Sequence, residues 1–154
     1  MKKKFLLFLQ VSFLLAERAT AQIGTVAGTK QEIAFITAVN TSGKEISIDA
    51  DFVQMLTGKA AIKAAKKNGE AEYDINTKGD TSWYVPNDYY ISNSSTKTRK
   101  FTFASTTLIY LVKEGSSKLI KTYSHQLKQG FEGKLFRLTI MGTKLMRIEE
   151  IYTP

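Results

Sequence analysis

Cysteine is absent from the 154 residues, histidine and tryptophan each occur once, and proline occurs twice. Without cysteine there can be no disulfide, no thiolate nucleophile and no acylated cysteine of the lipoprotein kind. Closed zinc sites usually draw on several cysteines or histidines, which His125 alone cannot supply. The same histidine would have to serve any Ser-His-Asp arrangement, yet no glycine-flanked serine elbow occurs, and His125 falls in a stretch with helical spacing. It is therefore expected to be a surface or packing residue. The sequence calls for no catalytic residue, metal or cofactor, and stability must come from a hydrophobic core.

Long apolar runs are scarce too. Lys2-Lys3-Lys4, an apolar block from Phe5 to Ala16, and small residues at Ala19-Thr20-Ala21 make the three-part pattern of a secretory signal peptide. The block is shorter than the about 20 residues a bilayer span needs, and Gln10 and Ser12 interrupt it. Cleavage after Ala21 would leave residues 22–154 with no transmembrane span, a length suited to one domain in the periplasm or outside the cell. Although the whole chain carries a formal +8, the mature part would carry +5. That excess is uneven, −2 from Gln22 to Thr96 and +7 from Lys97 to Pro154. Such asymmetry can mark an anionic partner, a glycan or an envelope protein. With no long basic run, nucleic acid is not expected, and a solvated face is the plainer account.

What the mature chain does have is alternation. Glu32 to Val39 reads as a strand, Asn40-Thr41-Ser42-Gly43 as a turn, and Glu45 to Asp49 as the returning strand with Ile46 and Ile48 on one face. Thr57 is placed to cap an alanine-rich helix that Gly69 ends. Glu70 to Ser82 has no periodicity and reads as a surface loop. Tyr89-Tyr90-Ile91 and Thr98 to Ala104 read as strands, the second with Phe101 and Phe103 on one face. Arg99 shares that parity but stands near the strand's start, where its side chain can reach water. Thr107 to Val112 reads as a strand buried on both faces. Leu119, Tyr123 and Leu127, with Ile120, have the spacing of one helix face over Lys118 to Gln129. Lys134 to Met141 and Leu145 to Tyr152 close the chain as strands.

These signals predict a β-rich α+β fold with two helices. The first architecture is a small antiparallel barrel like the oligonucleotide- and oligosaccharide-binding (OB) fold, the alternative a strongly curved, half-open sheet.

Chemistry concentrates between Trp83 and Phe103. Pro86-Asn87-Asp88 signals a turn that could aim Tyr89 and Tyr90. The candidate binding set is Trp83, Asp88, Tyr89, Tyr90, Arg99 and Lys100, aromatic rings to stack on a sugar and cations to meet an anion. Aromatics filling a cysteine-free core are the competing account. Asp49, Asp51 and Asp88 could join Glu149 or Glu150 as paired carboxylates of a small hydrolase, but their spacing specifies neither that nor a calcium site. Asp49 and Asp51 are expected at a strand end. Leu56-Thr57-Gly58, the stretch Pro86 to Asn93, Arg99, and Ile148 to Pro154 together resemble a group of small uncharacterised exported bacterial proteins. The resemblance implies export and one intact domain, and it carries no activity. The expected function is a non-enzymatic exported domain binding an anionic glycan, peptide or protein partner, with the hydrolase and a structural envelope protein as alternatives.

Overall fold

The computed structural model describes residues 28–153, so the expected leader at 1–21 lies outside the described residues. In chain order these form β1 (Thr29–Ser42), β2 (Glu45–Thr57), α1 (Gly58–Asn68), β3 (Glu72–Ile75), β4 (Thr81–Tyr84), β5 (Tyr89–Ser92), β6 (Thr98–Val112), β7 (Leu119–Thr122), α2 (Ser124–Gln129), β8 (Leu135–Met141) and β9 (Lys144–Glu150). A single 3-10 turn, Pro86–Asp88, precedes β5.

Five strands close a barrel in the order β2, β1, β8, β9, β6 and back to β2. Closure follows from the side-chain period. Ala34 and Ile36 on β1, Ile48 and Ala50 on β2, Leu138 and Ile140 on β8, and Leu145 and Ile148 on β9 all point inward and are buried. Curling the sheet buries them together and removes most of its free edges. Phe101 is buried and Phe103 packs against the same core, as their parity predicts. Four of the five seams are antiparallel, whereas β6 and β9 run parallel. Parallel neighbours need a long crossover, which β7, α2 and β8 provide. Leu127 of α2 is fully buried in the barrel core, so the crossover also plugs the barrel. A five-stranded barrel of this kind is OB-like.

Several elements differ from their expected form. The Lys118–Gln129 segment is a strand followed by a six-residue helix, and of the four residues expected on one helix face Leu119, Ile120 and Tyr123 are exposed while Leu127 is buried. Leu119 to Thr122 instead pair antiparallel with Ile109 to Val112, across a turn closed by Lys113 N–H donating to the Lys118 carbonyl. Four residues are too few for spacing to separate helix from strand, and β6 supplied the pairing partner. The expected loop at 70–82 is the β3–β4 hairpin. Tyr73 lies opposite Trp83, and in the turn the Asn76 side-chain oxygen accepts from the backbone N–H groups of Lys78 and Asp80.

The two strands expected at 98–104 and 107–112 are one, β6, whose pairing with β9 slips between Phe103 and Leu108. At the slip the Thr107 hydroxyl bonds the carbonyls of Ala104 and Leu145 at 2.9 and 2.6 Å. Beyond it only Ile109 is buried, because the barrel covers one face of the strand. Asp49 and Asp51 lie within β2 rather than at its end. Thr57 does precede α1, but its hydroxyl makes no capping bond. Gly69 ends α1 in the left-handed conformation, its N–H on the Lys66 carbonyl and that of Glu70 on Ala65.

Between β2 and β6 the chain builds an annex on the barrel. Ala61 and Ala65 of α1 and Val85 form a second small core, against which Leu56, Ile62 and Tyr90 pack. β5 adds to the far end of β2, with Tyr90 opposite Leu56.

Candidate functional site

On the paired strands β2 and β6, Arg99 lies opposite Ala50 and Phe101 opposite Ile48. Phe52 continues the inward face of Ile48 and Ala50, but it stands where the barrel opens and is only half-buried. Its ring stacks on Phe101 with centroids 5.7 Å apart and planes 15° apart. Arg99 faces the same way one pair beyond Phe101, so its long side chain folds over the mouth. The guanidinium carbon sits 4.5 Å from the Phe52 ring centre. Lys30 reaches the same ring at 5.4 Å and pairs with Glu32 at 3.4 Å.

Beside Arg99 is an open hollow of about 310 Å³ whose lining includes Glu32, Gln54, Ser92, Ser94 and Ser95. One wall is the 93–97 connection, tied down from within. Asn93 Nδ2 donates to Asp51 Oδ2 at 2.7 Å, while Asn93 Oδ1 accepts from Ser95 N–H at 3.2 Å. Asp51 is buried, and its Oδ1 has no hydrogen-bond partner. Arg99 makes no ion pair with any described residue. A guanidinium held over a ring face without an ion pair has N–H donors to offer a carboxylate, sulfate or phosphate. The serine hydroxyls and the Gln54 amide can each donate and accept, which suits a polyhydroxylated ligand.

The six residues singled out from the sequence do not come together. Lys100 alternates to the outer face, opposite Asp49. Trp83 lies on β4, tilted against Tyr73 at 5.0 Å, with Lys66 Nζ of α1 4.0 Å from its ring centre. Tyr90 turns into the annex core, and its hydroxyl accepts a hydrogen bond from Asn68 Nδ2 at 2.7 Å. Tyr89 pairs with Thr57 at the start of β5 and is half-buried. Asp88 and Asn87 are both left-handed, with φ of 59° and 58°. Asp88 lines a separate, largely apolar hollow of about 410 Å³ with Ile62, Tyr84 and Val85. Tyr84 faces Glu72 across the hairpin, and that carboxylate's bond to its hydroxyl, with the charge of Asp74 adding to it, raises its pKa above the ordinary tyrosine value. Sequence reasoning missed Phe52, Gln54 and the serines, although extending the parity of Ile48 and Ala50 would have pointed to Phe52.

The carboxylates do not converge either. Glu149 pairs with Arg147 at 2.6 Å, and Arg147 lies over the Tyr110 ring at 4.3 Å. Glu150, next along β9 and therefore on its other face, is buried. Its Oε1 meets Lys134 Nζ at 3.1 Å and its Oε2 accepts from Val112 N–H at 3.0 Å. Each acid has its own partner, and Asp88 is in the annex, so these residues build no acid–base pair. His125 is exposed and stacks on Tyr123 at 6.1 Å. Among the described residues no three metal-binding side chains gather, and no helix is long and apolar enough to cross a membrane.

Compared with family models, curated proteins and solved structures, the chain matches none.

Proposed function

We propose that the chain is an exported, non-enzymatic binding domain for an anionic glycan, held in the hollow beside Arg99. The observation that carries this reading is the Arg99 guanidinium, over the Phe52 ring and without an ion-pair partner among the described residues, beside a wall of serines. The acidic group of the sugar bonds the guanidinium, while ring hydroxyls exchange hydrogen bonds with Ser92, Ser94, Ser95 and Gln54. Lys30 neutralises Glu32, the one lining carboxylate that would repel such a ligand. The hollow lies on the second and third barrel strands, the pair OB folds use for ligands, although toward the end away from the β1–β2 and β8–β9 turns. Export rests on the basic, apolar and small-residue succession of the first 21 residues.

Titration with uronic-acid oligosaccharides, and with neutral ones of equal length, tests the reading. The acidic series binds, weakens as salt rises through the range where the screening length shrinks to about 10 Å, and loses affinity in Arg99→Ala. Equal binding of neutral and acidic sugars, or binding indifferent to Arg99→Ala, would overturn it.

A further inference from the structure

Among the described residues β3, β4, β5 and β7 each pair with another strand on one side only, and of these edges β7 is basic and β3 acidic. β7 bonds β6 on one side only. It carries Lys121, with Lys118 just before it, and its Leu119 and Ile120 are 37% and 43% exposed. β3 bonds β4 on one side only and stands away from the barrel in its own two-stranded sheet. It alternates Glu72 and Asp74 with Tyr73 and Ile75, the latter two 56% and 63% exposed. Exposed apolar side chains on an unprotected edge are the features natural proteins usually avoid. A free two-stranded ribbon is also short of partners for its own stability.

We infer that β3 of one molecule adds to β7 of a second copy, as an antiparallel strand, so that copies join head to tail. In the register that sets Lys121 opposite Glu72, Ile120 falls opposite Tyr73, Leu119 opposite Asp74 and Lys118 level with Ile75; one residue along, Lys118 falls opposite Asp74 and Leu119 opposite Tyr73. Either register joins one lysine to one acid and one apolar pair, so opposite charge selects the partner edge while both registers remain open to it. Self-pairing of either edge is disfavoured, since two copies of β7 oppose lysines and two copies of β3 oppose acids. The free edges of β4 and β5 carry no charged side chain, so the occupant that complements each charged edge is the other charged edge of an identical chain, and such a heterologous contact propagates into open chains or rings rather than stopping at a symmetric dimer. Four-residue edges make a small interface, so association is weak and concentration-dependent. The sugar hollow takes no part, and the inference goes beyond the binding reading without resting on it.

Sedimentation velocity on the folded protein, from dilute solution to about 1 mM at low salt, reads the contact. The average mass is expected to climb past that of a dimer and to fall back as salt is raised. Lys121→Glu alone, and Glu72→Lys with Asp74→Lys, each weaken association by about tenfold. An equimolar mixture of the two variants restores it, because each then carries the charge the other lacks. Lys113→Glu, a charge reversal in the turn before β7, leaves growth unchanged. Trp83 fluorescence checks that the β3 variant keeps its hairpin, and Lys121→Glu tests the barrel edge independently. A chain that stays monomeric throughout, one that stops at a symmetric dimer, or variants that fail to rescue each other would overturn the inference.

Discussion

The guanidinium of Arg99 lies over the Phe52 ring, its carbon 4.5 Å from the ring centre, at the mouth of the barrel rather than inside it. Inward parity at the start of β6 would bury a shorter side chain, whereas arginine can cover the apolar ring and still face water. The contact with the ring restricts the side chain before any ligand arrives, so less ordering is left for binding to bring about. Loss of the guanidinium in Arg99→Ala is expected to cost about 2 kcal/mol of affinity for an acidic oligosaccharide, roughly thirtyfold. Arg99→Lys recovers little, because an ammonium lacks the planar fork, and Phe52→Leu costs about threefold through the lost ring face. Calorimetric titration of the three variants checks this order.

Asn93 links the hollow to the stability of the barrel. Its amide is the hydrogen-bond donor to the buried Asp51 carboxylate, while its oxygen shapes the Ser95 wall. Asn93→Ala would leave that carboxylate without its donor and should lower unfolding free energy by about 2 kcal/mol. Affinity for the acidic ligand falls with it, as the wall loosens. Ser94→Ala, in the same connection, changes affinity modestly and stability hardly at all. Urea unfolding and binding measured on the same samples separate the two effects.

The barrel was legible where apolar residues alternate over long stretches, as in β1, β2, β8 and β9. It was misread where four residues had to decide between periods. Leu119, Tyr123 and Leu127 have helical spacing, yet only Leu127 enters the core. Leu127→Ala is accordingly expected to cost about 2–5 kcal/mol, and Leu119→Ala or Tyr123→Ala within about 0.5 kcal/mol. Thermal unfolding of the three variants distinguishes a plug from a continuous amphipathic helix, in which all three would matter. For the site, Arg99 could be singled out from parity and charge, but its partners could not. Ser92, Ser94, Ser95 and Gln54 meet it only because β5 and β6 pair with different parts of β2. The tyrosines suggested a platform, but the small side chains of α1 leave a space that Tyr90 fills.

The β3–β4 hairpin should report alkaline pH. Tyr84 holds its proton more tightly than an unperturbed tyrosine, first because Glu72 accepts its hydrogen bond and then because Asp74 adds negative charge. A raised folded-state pKa means that the contribution to hairpin stability is whole below the unfolded tyrosine value and is lost as pH rises through the folded one. Glu72→Gln is expected to lower the pH at which Tyr84 ionises, and Asp74→Asn to lower it less. Tyrosinate absorbance, with Tyr84→Phe as the reference, follows the shift.

The most direct test of the account is amide chemical-shift mapping while an acidic oligosaccharide is added to the intact domain. The account predicts that the largest changes gather at Phe52 to Gln54 and Ser92 to Lys100, with β8 and α2 nearly still, and that they vanish in Arg99→Ala. Changes centred on the Tyr73 and Trp83 hairpin, or on the hollow that holds Asp88, with Arg99 unmoved, would contradict it.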